Sequence, residues 1–426
     1  MLTVGSTFQG KAIDVDYLGQ GIVKHEELVI FVKGLLEGET ALIEIKTLKK
    51  RFAEGFVVDL IEASNMRKEG VENTLGSMDL YHMKDDAQLL WQKKLTQNTL
   101  SKVGGLDVQV EDIITDRHFT NYRNKSVFHV MFKNQLTLGL YHEDGRGLIP
   151  FQSFLLTDEI TNLIIKHIQQ KRINIDPSIL KGISIRTNQK KEALVTLIAT
   201  KTTFKGLTQL VQAFKMMPPV IGVTLNIKDE KRKILGSTSH VLFGSEVIEQ
   251  HIGNLSFPVT DQSFFQINVP VATLAYDIIK QNVDPDSAVI DAYSGVGSIG
   301  FYLADKVKHV TLIETNEDAI KMANQVKETS HFKHVDVVMG RAEEEVQKHD
   351  ADVLVVDPPR NGLMPALIQA MLERPFQQVF YLSCDLKTLS RDLGLLKASY
   401  DIKKVYPIRM FPQTTECETL VILSQK

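Results

Sequence analysis

From Ala288 to Leu382, short apolar runs alternate with longer stretches whose apolar positions recur every three or four residues. The runs Ala288-Val-Ile-Asp-Ala, His309-Val-Thr-Leu-Ile-Glu314, Val335-Asp-Val-Val-Met, Asp352-Val-Leu-Val-Val-Asp357 and Gln378-Val-Phe-Tyr-Leu read as strands, and Glu317-Asp-Ala-Ile-Lys-Met-Ala-Asn as part of a helix. Alternation of this kind predicts an α/β region, a doubly wound parallel sheet over 261–426. Glu418-Thr-Leu-Val-Ile-Leu is a late strand whose direction stays open. The N-terminal pattern differs. Phe8–Tyr17, Glu27–Val32, Glu39–Ile45 and Gly55–Ile61 are short strands separated by Gly19, Gly21, Gly34 and Gly38, which predicts a small β-barrel over 1–64.

The block 65–260 has mixed character and reads as an α+β platform for a substrate. Asp85 to about Val103 has helical spacing, with Ala87, Leu90, Trp91 and Leu95 on one stripe expected to be core. This helix is also free to pack on the third block. Ser126–Phe132, Gln135–Tyr141, Ile183–Arg186 and Ala193–Ala199 are strands, with polar and basic groups beside them at Asn121–Lys125 and Gln189–Lys191.

The chain has 426 residues, enough for two or three domains, with 43% hydrophobic and 24% charged residues. Two cysteines exclude a disulfide framework and a four-cysteine metal site, and fit a reducing, cytoplasmic setting. The first residues lack a signal-peptide pattern, and no apolar run is long enough to span a bilayer. A net charge of −3 argues against a basic coat protein but permits a local basic patch such as Lys46, Lys49, Lys50 and Arg51.

Cys384 stands where an apolar strand runs into a loop, after the turn Asp357-Pro-Pro-Arg360. Open α/β sheets carry their chemistry at the carboxyl ends of strands, so this thiol is a candidate for covalent attack as well as for simple packing. Gly295-Val-Gly297-Ser-Ile-Gly300 follows a strand, and Glu314 ends the next one, where a carboxylate can accept from ribose hydroxyls. That much fits NAD and S-adenosylmethionine equally. Asp291, able to face an amino acid group, and the two prolines at the end of the fourth strand favour S-adenosylmethionine. Arg360 after the proline pair, with a cysteine later, suits methylation at carbon.

On these motifs the chain resembles the RNA uracil-5-methyltransferases, in particular the bacterial 23S rRNA enzymes. Tyr122-Arg-Asn-Lys125, Ser263-Phe-Phe-Gln266-Ile-Asn268, the glycine loop, Asp357-Pro-Pro-Arg360, Ser383-Cys384, Thr388-Leu-Ser-Arg391-Asp392 and Phe411-Pro through Glu418-Thr match in order. The resemblance implies an N-terminal TRAM barrel that binds RNA, Cys384 as nucleophile and Glu418 as general base. It also implies contacts to S-adenosylmethionine from Gln266, Tyr293, Glu314 and Asp357. On a strand, Glu416 would share a face with Glu418 and remains the alternative base. Cys417 is expected to pack.

The chain departs from the family pattern twice. The cluster cysteines of many members are replaced around Leu75-Gly-Ser-Met78 and Ser153-Phe154, so no iron–sulfur cluster is expected. In the final motif, Arg409, Gln413 and Glu416 stand where the family has Asp, His and His, which would alter charge beside the base. Expected partners are RNA, 23S rRNA first, with no membrane and no obligate protein partner. The competing readings are a tRNA uracil-5-methyltransferase, an idle RNA-binding paralogue, and, from another class, an NAD-dependent oxidoreductase.

Overall fold

A computed structural model describes residues 2–71, 75–132, 135–142, 145, 147–176, 178–230 and 233–426. Strands β1 (Thr7–Val15), β2 (Gln20–His25), β3 (Leu28–Lys33), β4 (Thr40–Leu48) and β5 (Phe52–Glu62) close into a barrel in the order β1-β2-β3-β5-β4. Alternate residues such as Val23, Ile30, Val32, Ile43 and Ala53 fill it. The sequence reading missed β2 because Gly19 and Gly21 looked like punctuation. Gly21 is inside the strand, where a Cβ would lie 2.7 Å from the Leu35 carbonyl oxygen. The Lys46–Arg51 run spans the end of β4 and the β4–β5 connection, with all four basic side chains exposed.

Helix α1 (Asp85–Gly104) follows, closed by Gly105 in a left-handed conformation. Its buried stripe is Ala87, Gln88, Trp91, Gln92, Thr96 and Leu100, whereas Leu90 is 68% exposed. The expectation for Leu90 therefore fails, because two glutamines occupy the inward face and make tertiary hydrogen bonds there. The middle sheet contains β6 (Lys125–Phe132), β7 (Leu136–Tyr141), β8 (Leu148–Pro150), β9 (Leu180–Thr187), β10 (Ala193–Ala199), β11 (Val220–Ile227) and β12 (Thr238–Gly244), in the order β12-β11-β10-β9-β6-β7-β8. Helices α2 (Glu159–Gln170) and α3 (Leu207–Lys215) supply its core with Ile164, Ile165, Ile168, Leu210 and Phe214. A hairpin of β13 (Ile248–Ile252) and β14 (Leu255–Val259) leads on to α4 (Val269–Asn282).

The last sheet runs β17-β16-β15-β18-β19-β21-β20. Its strands are β15 (Ala288–Ala292), β16 (His309–Glu314), β17 (Val335–Met339), β18 (Val353–Val356), β19 (Gln378–Ser383), β20 (Tyr400–Ile408) and β21 (Glu418–Gln425). The first five are parallel; β21 is antiparallel to both β19 and β20. Val289, Val355 and Phe380 face one side with α4, α5 (Ser298–Leu303) and α6 (Glu317–Ser330). Ile290, Val356 and Tyr381 face the other with α1, α8 (Pro365–Glu373) and α9 (Leu386–Leu396), after the short α7 (Ala342–Glu345). Val15 and Leu36 of the barrel enter this second core, so barrel and sheet share apolar packing. Among the described residues no helix is long and apolar enough to cross a membrane.

Candidate active site

The chain order of the sheet reverses between β15 and β18, which is where open α/β sheets form their ligand crevice. Asp291 sits near the end of β15, Asp357 directly follows β18, and Cys384 directly follows β19. Since β21 runs the opposite way, its first residue reaches the same edge. Ser383 pairs with Thr419, which brings Glu418 to the level of Cys384.

The electrostatics follow from this placement. Burial pushes the Cys384 thiol up to about 11, the carboxylates of Glu418 and Asp357 push the same way, and Arg360 opposes them. Glu418 is pushed up to about 8 by burial, then by Asp357 and Glu416. Burial raises Asp357 to about 6. It also raises Asp291 to about 7, against a hydrogen bond from the Gly300 N–H and with help from Asp357 and Glu314. The charges that reach Asp291 and Glu418 are thus other carboxylates. Such a crevice is poised for a cation, whose arrival would favour the ionised forms.

Glu416 precedes β21 rather than lying in it, and its carboxylate is held 2.7 Å from Arg360 Nη2 at the surface. The shared strand face expected for Glu416 and Glu418 is therefore not formed. Cys417 is buried in the core, and its thiol is pushed up to about 12 by burial.

The glycine loop shows why its residue types matter. Gly295 and Gly297 have φ of 56° and 80°. At Gly300 a Cβ would sit 2.3 Å from Leu312 Cδ2, so only glycine lets α5 pack on β16. Tyr293, a bulky residue, also holds a left-handed φ of 61°, a conformation that usually marks strain or function. Glu314 accepts from the backbone N–H of Gly295 (2.9 Å) with one oxygen and from Thr315 and Asn316 (2.7 and 2.8 Å) with the other. The oxygen that accepts from Gly295 keeps capacity for a hydroxyl. Asp291 Oδ1 is buried without a partner.

Gln266 is nearly buried, in a loop gripped from the middle sheet. Asn124 Nδ2 donates to its carbonyl (3.0 Å), Lys125 Nζ to Asp261 O (2.8 Å) and Arg186 Nη2 to Ser263 O (2.6 Å). Lys125 and Arg186 are cross-strand neighbours on β6 and β9. Between these anchors Phe264 is 74% exposed. Sequence reading placed Asn124 and Lys125 beside strands without seeing this grip, because the partners lie well over a hundred residues apart.

A second clamp holds the Asp357–Leu363 loop. Asp392 is buried and accepts from Tyr381 OH (2.8 Å) and the Leu363 N–H (2.9 Å), while Arg391 pairs with its other oxygen (2.7 Å). Asp385 caps α9 through the N–H groups of Lys387 and Thr388, which orients the Cys384 turn.

Arg409 and Gln413, expected beside the base, point elsewhere. Arg409 is fully buried and donates to Gln88 and to Thr414 O. Gln413 accepts from Gln88 Nε2 (2.8 Å) and donates through Nε2 to Asp85 (2.9 Å). The two substitutions tie the final loop to α1. At the positions expected for cluster cysteines, Met78 and Phe154 pack in the apolar core of the middle block. Among the described residues no group of three or more His, Cys, Asp or Glu is placed to hold a metal ion.

The family model for tRNA (uracil-5-)-methyltransferases matches residues 86–426. An "uncharacterized RNA methyltransferase" of Lactobacillus johnsonii is 32% identical, with 97% of each chain covered. One of Clostridium tetani is 31% identical over 95% of this chain and 94% of its own. Among solved structures, the Pyrococcus abyssi tRNA (uracil-54, C5)-methyltransferase in complex with S-adenosyl-L-homocysteine superimposes with a TM-score of 0.80. It is 21% identical, with 98% of this chain and all of that one covered.

Proposed function

The chain belongs to the tRNA (uracil-5-)-methyltransferase family, and on that footing we propose that this RNA methyltransferase methylates carbon 5 of a uridine, most directly in 23S rRNA, through a covalent Cys384 adduct. The observation that carries this reading is the strand register that sets Glu418 level with Cys384, at the sheet edge where Asp357 also lies.

The cofactor residues are Gln266, Tyr293, Glu314 and Asp357, with Asp291 beside them. The unpartnered Asp291 oxygen and the raised carboxyls fit a ligand carrying an ammonium and a sulfonium. When bound, S-adenosylmethionine supplies an electrophilic methyl group, which carbon 5 takes. The protein's part is to make that carbon nucleophilic. Cys384 adds as thiolate to carbon 6, which pushes the electron pair of the 5,6 double bond into the ring as an enolate. After transfer, Glu418 as carboxylate removes the proton from carbon 5. The electron pair freed from the broken C5–H bond re-forms the 5,6 double bond and expels the Cys384 thiolate. Cysteine suits both the attack and the departure. A free thiol held up near 11 is inert at neutral pH, so a cation arriving beside Glu418 and Asp357 also serves to activate it. The target base reaches this crevice only when swung out of its stack.

Affinity for S-adenosylmethionine is expected to rise with pH through about 6 to 8, where Asp357, Asp291 and Glu418 titrate, and then to level off. The sign follows from linkage: a cation binds the ionised carboxylates, so binding releases protons wherever they are partly protonated. S-adenosylhomocysteine lacks the sulfonium and should show a shallower rise. Titration calorimetry of both ligands from pH 5.5 to 8.5 checks this, and parallel curves would contradict it.

The ribosomal target rests on the resemblance to the 23S rRNA enzymes. The barrel does not choose between ribosomal and transfer RNA, because the fold of the Pyrococcus abyssi tRNA enzyme matches over 98% of this chain. Methyl transfer to 23S and tRNA transcripts tests the choice: label at a 23S uridine is expected, and label in tRNA alone would favour the tRNA reading. Either RNA implies the cytoplasm as the working compartment. Cofactor binding without transfer to any RNA would favour an idle RNA-binding paralogue.

A further inference from the structure

The turn between β1 and β2 reaches from the barrel to the rim of the crevice. Asp16 fixes it by accepting from the N–H groups of Leu18 (2.9 Å) and Gln20 (2.7 Å), and the Asp16 carbonyl accepts from the Trp91 ring N–H (3.3 Å). Gly19, at φ 74°, is pressed against the rim: a Cβ there would lie 2.8 Å from Leu80 and 3.1 Å from the Thr415 methyl. Thr415 directly precedes Glu416, in the segment that leads to Glu418. At the tip of this anchored turn Tyr17 is 47% exposed, and Leu18 beside it is exposed as well. Lys387 Nζ lies over the Tyr17 ring, 3.5 Å from its centroid. Lys387 is three residues beyond Cys384, in the first turn of α9.

An exposed aromatic ring on a rigid turn, held by a lysine next to a nucleophile, has no role in the core. Its chemistry suits a nucleotide. Aromatic rings stack on any base face, and an adjacent ammonium meets the phosphate. A base swung out of its stack leaves its neighbour with one uncovered face, which a tyrosine ring can cover. We propose that Tyr17 and Lys387 form a subsite for the nucleotide adjoining the target uridine, its base stacked on Tyr17 and its phosphate paired with Lys387. The barrel then lines the crevice rather than acting only as a remote anchor. This inference rests on the RNA-methylating function proposed above.

The test uses the full chain and an RNA stem-loop that the wild-type protein methylates. Tyr17→Ala is expected to raise KM for RNA about tenfold, the effect of one lost stack, with kcat and affinity for S-adenosylmethionine within about twofold. Tyr17→Phe keeps the ring and should restore KM. Lys387→Met should lower the salt dependence of KM. An abasic site on one side of the target should raise KM for the wild type by a similar factor and add nothing to Tyr17→Ala. A wild-type KM in Tyr17→Ala, or an abasic penalty equal in both proteins, would overturn the subsite while leaving the methyltransferase reading intact. A wild-type protein that methylates no RNA would instead sink that reading, and the subsite with it.

Discussion

Cys384→Ala should abolish methyl transfer, by about 10⁴-fold or more, while affinity for S-adenosylmethionine changes less than about twofold. The loss follows from the chemistry: without the sulfur, nothing raises electron density at carbon 5, and the bound methyl donor meets an unreactive ring. Retained binding follows from the geometry. Asp291, Gly295, Glu314 and Asp357 are set by β15, β16 and β18, and the Cys384 turn is set separately by the Asp385 cap on α9. Cys384 is only partly buried, so its truncation leaves the core packing in place. Turnover assays with tritiated methyl donor, beside calorimetry of the variant, separate the two effects. Measurable turnover in Cys384→Ala would remove the covalent route.

Glu418→Gln should behave in the opposite manner. The thiol can still add and carbon 5 can still take the methyl group, but no carboxylate remains to remove the proton. Turnover falls by about 10²–10⁴-fold. The adduct accumulates and appears as a protein–RNA band on a denaturing gel. Glu416→Gln should cause much less damage, since Glu416 is committed to Arg360 at the surface. Stability supplies an independent check. The Glu418 carboxyl is held above its ordinary value, so its contribution to stability is present in acid and is lost as pH rises through about 8. Glutamine has no charge to bury. The Tm of Glu418→Gln relative to wild type should therefore climb between pH 5 and pH 9. A variant with wild-type turnover, or one that traps no adduct, would assign the base elsewhere.

The parallel sheet was legible because its strands are buried on both faces and read as continuous apolar runs such as Val353–Val356. The strand ends that hold Asp291, Asp357 and Cys384 were legible for the same reason. Less visible were elements whose burial is decided by distant partners. Strand β20 carries Lys403, Lys404 and Pro407, which mask its pattern; it is an edge strand, where such residues are tolerated. On α1 the buried glutamines Gln88 and Gln92 lie outside the apolar stripe, and their burial is set by hydrogen bonds with Arg409 and the Ile408 carbonyl. Arg409 itself looked like an altered charge at the base, because local spacing says nothing about a side chain that turns back toward a helix three hundred residues earlier. The grip of Asn124, Lys125 and Arg186 on the Gln266 loop escaped for the same reason: its acceptors are backbone carbonyls, which carry no sequence signature.

The most direct test replaces the target with 5-fluorouridine in an RNA that the protein methylates. Fluorine at carbon 5 cannot leave as a proton, so the reaction should halt after methyl transfer, with RNA still bonded to the enzyme. Peptide mapping by mass spectrometry should find one methylated fluorouridine on Cys384. Release of product without any trapped species, or a crosslink mapped to a different residue, would contradict a sulfur-bonded intermediate.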